Sequence, residues 1–221
     1  MRDPTRHKPA DRYPGYDVLS KRNGPSWNDK TRRVVDQRLS IDDEPRFFAA
    51  DEFALVQAVA ALIAPQPAHR PMIPVAGLVD AKLHRGESDG FRAPNMPRER
   101  DAWTRGLAAI EAEARRAHGR GFCELTKSEQ IDLLEKMQNG ELHDAAWGEM
   151  PPQAFWKHRL SHDIVMAYYA HPTAWSEIGW GGPASPRGYV RLDFNDRDSW
   201  EAAEAGSSDG DNVRRINRGI R

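Results

Sequence analysis

Apolar positions from Phe47 onward recur at steps of three and four. Phe53, Val56, Ala60 and Ile63, with Leu55, Val59 and Leu62 beside them, make a stripe that Pro65 ends; this is the spacing of a helix with one buried face. Asp51 and Glu52 fall in its first turn, where negative charge suits the helix dipole. A Pro-rich link from Pro65 to Pro74 leads to a shorter helix. Val75, Leu78, Val79 and Leu83 form its buried face, Gly86 closes it, and Pro74 suits its first helical position. Residues from about Arg98 to His118 predict a longer helix, with Trp103, Leu107, Ile110 and Ala114 inward and Gly119 as its cap. Thr126-Lys-Ser-Glu129 is a capping box for the next helix, whose Ile131, Leu133, Leu134 and Met137 face inward as far as Asn139-Gly140. A last long helix is expected from Pro151-Pro152 through Phe155, Trp156, Leu160, Ile164, Val165 and Tyr168 to Pro172. No alternating Val/Ile/Thr run appears and no period repeats. The predicted fold is all-α: an irregular helical bundle with an extended N-terminal arm and an aromatic, Gly/Pro-rich C-terminal loop region.

Outside this periodic stretch the pattern lapses, which divides the chain into an arm over residues 1–46, a helical core over 47–189 and a tail over 190–221. The arm is polar, with eleven Lys/Arg against eight Asp/Glu, yet Tyr13, Tyr16, Val18, Leu19 and Trp27 are interspersed. It reads as an extended segment pinning aromatic anchors onto a surface, or as plain disorder. In the tail, Val190-Arg-Leu-Asp-Phe194 suggests a short strand or extended piece, Trp200 an anchor, and Gly206-Ser-Ser-Asp-Gly-Asp211 a flexible link. The final Arg-rich residues are expected to be mobile.

Within the core, the stretch from Tyr168 to Tyr189 departs furthest from an ordinary loop. It carries Tyr168, Tyr169, Trp175, Ile178, Trp180 and Tyr189, while Gly179, Gly181, Gly182, Pro183, Pro186 and Gly188 punctuate it as turns. So many large rings must either fold back on their own domain or cover another protein's surface. The residues expected at a partner interface are Tyr13, Tyr16, Trp27, Tyr169, His171, Trp175, Trp180 and Tyr189.

Composition narrows the function. The net charge of -1 gives no case for nucleic-acid binding or a polybasic membrane anchor. A mean hydropathy of -0.76 implies a thin core, part of which orders only against something else. The single Cys123 excludes an internal disulfide framework and a Cys-based zinc knuckle, and reads as a small buried residue, with an intermolecular disulfide or a reactive thiol as the alternative. No apolar run approaches a membrane span, and the N-terminus shows neither a signal-peptide core nor a twin-arginine motif at Arg32-Arg33. The chain alone is therefore expected to stay in the cytoplasm.

Candidate chemistry is sparse. His158 and His162 stand four apart beside Asp163, a spacing that lets two imidazoles share a helix face and ligate a metal. No third ligand stands at a telling spacing, and no Glu fits an H-E-x-x-H pattern. His171-Pro172 lies at a helix C-terminus, where an imidazole suits the dipole and can bond the last carbonyls. Gly179-Trp-Gly-Gly-Pro183 lacks the following helix that a phosphate cradle needs. No catalytic, cofactor-binding or metal-binding residue is assigned.

Several segments in order resemble the gluconate 2-dehydrogenase subunit 3 family. They are Phe47-Phe-Ala-Ala-Asp-Glu-Phe53, Val75-Ala-Gly-Leu-Val-Asp80, Arg105-Gly-Leu-Ala-Ala-Ile-Glu111, Gly121-Phe-Cys-Glu-Leu-Thr-Lys-Ser-Glu-Gln130 with Leu133-Leu134, and Ile178-Gly-Trp-Gly-Gly-Pro183. The resemblance spans roughly residues 47 to 195. It implies a non-catalytic accessory subunit of a large FAD-containing dehydrogenase of the glucose-methanol-choline type, acting on sugars or polyols. FAD and the catalytic His would belong to the large subunit, and a haem c subunit often passes electrons onward. Many members carry a twin-arginine signal that exports the partner with them. This chain shows none, so a periplasmic location would require the partner's signal.

The leading expectation is thus a small helical subunit that binds and stabilises such a flavoprotein. Two rivals remain: an independent metal-dependent helical enzyme using His158, His162, Asp163 and His171, and a stand-alone binding protein.

Overall fold

The computed structural model describes residues 11–90, 92–185, 187–189, 198–206 and 209–220. Among them the fold is all-α, and the only pairing of strand type is an isolated bridge between Trp27 and Ser185. The expected strand at Val190–Phe194 lies outside the described residues. Packing divides the chain into two compact units. One comprises Ile41–Pro65 and Pro74–Tyr168; the other comprises Met1–Ser40, Gln66–Ile73 and Tyr169–Arg221. This division does not follow the three segments read from the sequence, because arm, loop and tail fall in one unit.

The first unit holds the periodic helices. They are α2 (Ala50–Ile63), α3 (Val75–His84), α4 (Glu99–His118), α5 (Lys127–Asn139) and α6 (Pro152–Phe155); the label α1 belongs to Asp29–Leu39 of the other unit. Every inward residue expected on α4 is buried, and Gly119 caps it at φ +71°. The Thr126–Glu129 box forms as expected, with Thr126 and Glu129 each satisfying the other's backbone N–H. One inward assignment fails: Ile131 is 40% exposed. It lies at the margin of its stripe, where a step of three or four leaves the facing undecided. Cys123, expected inside, is exposed in the short turn Phe122–Glu124.

The last long helix is not continuous. After α6 comes a π turn, Trp156–Leu160, in which Ser161 N–H donates to Trp156 O five residues back. α7 (Ser161–Ala170) follows, and His171 breaks the run before α8 (Pro172–Glu177). The extra residue of a π turn shifts the helical register. Here it lets the consecutive Arg159 and Leu160 both turn inward.

A chain of rings fills this unit: Phe48 lies edge-on to Trp103 at 5.6 Å, Trp103 edge-on to Phe155 at 5.7 Å, and Trp147 tilted against Phe155 at 5.9 Å. Phe155 sits so close to α4 that a Cβ at Gly106 would overlap its ring. Asp80, wholly buried, accepts from the backbone N–H groups of Arg46, Phe47 and Phe48 and so fixes the approach to α2. Glu113, also wholly buried, accepts from Asp144 N–H and Trp147 Nε1. These contacts with Arg116 hold its carboxyl below the usual range, against the effect of burial.

The second unit overturns the picture of an extended arm and a mobile tail. The arm contains a 3-10 turn, Val18–Lys21, and the helix α1, in which Asn28 accepts from Thr31 N–H as its N-cap. α1 escapes a periodicity search because only Val35 is buried among its eleven residues. The final Arg-rich residues form α9 (Gly210–Arg218), anchored by buried Val213 and Asn217. Tyr16, Val18, Trp27 and Val35 from the arm, Trp175, and Trp200, Ala202 and Ile220 from the tail make one core. Polar ties close it: Tyr16 Oη donates to Trp200 O at 2.9 Å, and Asn217 Nδ2 donates to Pro14 O and Ala203 O at 3.0 Å.

In a solvated helix interior, Gly→Ala stabilises by up to about 1 kcal/mol. Against the Phe155 ring the sign should reverse. Gly106→Ala is expected to destabilise by about 1–3 kcal/mol, as overpacking does, read as a lower urea midpoint at constant slope. A midpoint equal to or above wild type would mean that the ring moves aside freely.

Candidate functional site

The second unit holds all eight residues expected at an interface, and two of them, Trp27 and Tyr189, lie against one buried cation. Lys21 is 1% exposed. Its Nζ lies 5.6 Å from the Trp27 ring, 5.5 Å from the Trp200 ring and 5.9 Å from the Tyr189 ring, all within cation–π range. Nζ also donates to Pro183 O at 3.2 Å. Burial disfavours the charged form and lowers the Lys21 pKa to about 8, with Asp198 and Glu201 opposing the shift. Arg187 stacks over the Trp200 ring at 4.5 Å and pairs with Asp198 at 3.1 Å.

His171 was expected to offer an imidazole to the carbonyls that end a helix. Instead it begins α8: its Nδ1 accepts from Thr173 N–H, and Arg38 Nη1 bonds the carbonyl of Ala170, the last residue of α7. An acceptor Nδ1 requires a neutral ring. Burial and nearby Arg38 enforce that, lowering the His171 pKa to about 4. A permanently cationic guanidinium fits the carbonyl role better than a group that titrates. Arg38 also lies over the Trp175 ring at 5.7 Å.

The glycines of Gly179–Pro183 serve packing. Gly182, at φ +68°, brings backbone against Trp175 and Val18, where a Cβ would lie 3.1 and 3.2 Å away. Gly179, at φ +70°, lies flat against the Tyr13 ring. No helix opens at these residues, so their amides form no phosphate cradle.

The eight expected interface residues therefore separate. Tyr16, Trp27, Trp175 and His171 are buried in their own unit, and Tyr13 packs partly buried against its core. Tyr169, Trp180 and Tyr189 are 47%, 42% and 37% exposed, and Ile178, not among the eight, is 44% exposed. Trp175 links this rim: its Nε1 donates to Tyr169 O at 2.6 Å, and its ring meets Trp180 edge-on at 5.0 Å. Tyr189 Oη donates to Gly182 O, beside the Trp175 ring. Sequence reasoning missed Lys21 and Arg38, because their partners, Trp27 excepted, lie more than a hundred residues away along the chain.

The first unit holds a different polar cluster. Lys82 Nζ is 2.7 Å from Asp89 Oδ1, 2.7 Å from Glu99 Oε1 and 3.7 Å from Asp163 Oδ1. Arg159 Nη1 is 3.1 Å from Asp89, 3.7 Å from Glu99 and 3.8 Å from Asp163. Trp103 Nε1 donates to Asp163 Oδ2 at 2.8 Å. Three carboxylates face two cations, and burial raises the Asp163 pKa. His162, Asp89 and Asp163 bring ligand atoms within 4.8 Å of one another; His158 is not in that group, and His171 belongs to the other unit. The ammonium and guanidinium already lie against these carboxylates, which makes the set an ion-paired network rather than an open metal cage.

What the two units define is an all-α protein in which buried polar groups such as Asp80, Glu113, Asn217 and His171 hold its own fold, with large apolar side chains left exposed around Gly179–Gly188. A sequence model of the family Gluconate 2-dehydrogenase subunit 3 matches residues 50–182, more than half of the 221 residues. The chain belongs to that family. No curated protein and no solved structure matches it. Among the described residues, no helix is long and apolar enough to cross a membrane.

Lys21 and His171 are bases whose native pKa lies below the ordinary value, so the unfolded chain binds the proton that the native chain excludes. Stability must then rise with pH through each window, from about 4 to 6.5 for His171 and from about 8 to 10.5 for Lys21. Wild type should gain stability relative to His171→Asn across the first window and relative to Lys21→Met across the second. Urea melts over a pH series would read both differences, and parallel curves would contradict the buried-base geometry.

Proposed function

We propose that this chain is a non-catalytic small subunit that binds and stabilises the large FAD-containing subunit of a sugar or polyol dehydrogenase of the glucose-methanol-choline type. Membership of the subunit 3 family frames the reading. The observation that carries it is the rim of Tyr169, Ile178, Trp180 and Tyr189, all more than a third exposed within a single segment. Aromatic side chains are enriched at the centres of protein interfaces, where a few anchors carry most of the binding energy. Tyr169 is held at the end of α7, and the Trp180 ring is braced by Trp175 among Gly/Pro turns, so these rings lose little conformational freedom on docking.

On this reading FAD and the reacting groups lie in the large subunit, and a haem c subunit takes the electrons onward. The chain's compartment follows its partner: cytoplasmic, or periplasmic if the partner carries the export signal. A metal-dependent enzyme using His158 and His162 is the weaker reading, since Lys82 and Arg159 already neutralise the carboxylates beside His162.

An affinity tag on the full chain, expressed with its native neighbours, should recover a large yellow flavoprotein in stoichiometric amount. Trp180→Ser and Tyr169→Ser should each weaken recovery by about 2 kcal/mol, roughly 30-fold, the scale of an interface anchor. Recovery of a colourless protein alone, or recovery by both variants equal to that of the wild type, would reject the proposal.

A further inference from the structure

α9 opens a question that subunit docking does not answer. Arg214 and Arg218 stand one turn apart on its exposed face, and neither forms an ion pair with any described residue. Like charges at that spacing repel. Yet the structure brings both stems down onto the N-terminal segment at Gly15, where φ is +73°. A Cβ there would lie 2.9 Å from Arg214 Cγ and 3.3 Å from Arg218 Cγ. Only glycine suits both that backbone and that approach.

Beneath the two arginines lies a cleft of about 530 Å³, within the range of small-ligand sites. Arg70 lines it, with a side chain only 10% exposed. Backbone carbonyls of Tyr13 and Tyr16 and the carboxylate of Asp11, each at 3.2 Å, fix its guanidinium; its Nε is buried without an acceptor. His69 also lines the cleft, 3.6 Å from the same Asp11. The second carboxylate of the cleft, Asp17, accepts from Leu19 N–H as the cap of the Val18–Lys21 turn. Both acids are thus engaged, and three guanidiniums outnumber them. Thr173 adds a hydroxyl to the wall.

We propose that this cleft binds a small organic or inorganic anion through a carboxylate or phosphate group, held between Arg214, Arg218 and the fixed Arg70. An oxyanion there relieves the repulsion on α9 and accepts charge-assisted hydrogen bonds. The concave shape and single-molecule volume favour a small ligand over an extended acidic surface. The inference uses only the second unit and holds whether or not a flavoprotein partner is found.

The test is calorimetric titration of the full chain with citrate and, separately, with inorganic phosphate, at ionic strength held constant with sodium chloride. Saturable one-to-one binding of citrate assigns a carboxylate site, and of phosphate alone a phosphate site. Arg214→Gln combined with Arg218→Gln should weaken that binding at least about tenfold, the equivalent of one charge-assisted hydrogen bond. Arg215→Gln, whose parent side chain bonds Asn212, should bind as wild type. The substituted arginines are exposed and repel one another, so the melting temperature without anion should not fall, which confirms the fold. Absence of saturable binding by either anion would overturn the proposal, as would a double variant that binds like wild type.

Discussion

An ammonium can be taken out of water inside a protein only if other groups take over its solvation. Lys21 meets that requirement with three rings and one carbonyl. Of these only Trp27 is near it in sequence; Pro183, Tyr189 and Trp200 lie more than 160 residues on. The second unit is therefore conditional on the two ends of the chain meeting. Closing a loop of that length costs about 5 kcal/mol of chain entropy. Tyr16 Oη on Trp200 O and Asn217 on Pro14 O span the same closure. What the sequence presents as an arm and a tail is one core divided between the chain's two ends.

That division marks what could be read without coordinates. Where apolar residues recur within a single helix, as at Trp103, Leu107, Ile110 and Ala114, periodicity alone names the buried face, and caps such as Thr126 and Gly119 mark the ends. The facing fails at stripe margins such as Ile131 and at the π turn, whose extra residue no period of 3.6 can show. It fails wholly for α1, where a single buried valine carries the docking. Of the candidate interface, the sequence singled out Tyr169, Trp180 and Tyr189, which are exposed. It could not separate them from Trp27 and Trp175, which are buried. Ring chemistry is the same in both groups, and only the long-range partners of each ring decide its side.

The segments that carry the family resemblance have mostly packing reasons. Asp80 holds the backbone of Arg46, Phe47 and Phe48, which joins two of the quoted segments through one carboxylate. Gly77, in the same segment, donates its N–H to Asp43 and lies where a Cβ would collide with the backbone at Asp42. Gly106 makes room for Phe155, and Gly182 for Trp175. Changes at such positions strain the packing whatever the protein binds. These positions describe a fold, and the function must be sought in side chains that the fold does not use.

Trp180 is the sharpest case of such a side chain. Trp175, five residues earlier, has the Tyr169 carbonyl for its indole N–H and Arg38 over its ring, so its burial leaves nothing unpaired. Trp180 meets the edge of Trp175 and remains 42% exposed. Covering an exposed indole, with the rings and aliphatic chain beside it, would bury apolar area worth roughly 25 cal/mol per Å². It would do so without disturbing any contact that holds the core. A ligand that binds only the native form stabilises it by mass action. On the proposed reading the flavoprotein that covers this rim would therefore also hold the two chain ends together, so docking and the ordering of the second unit become one equilibrium.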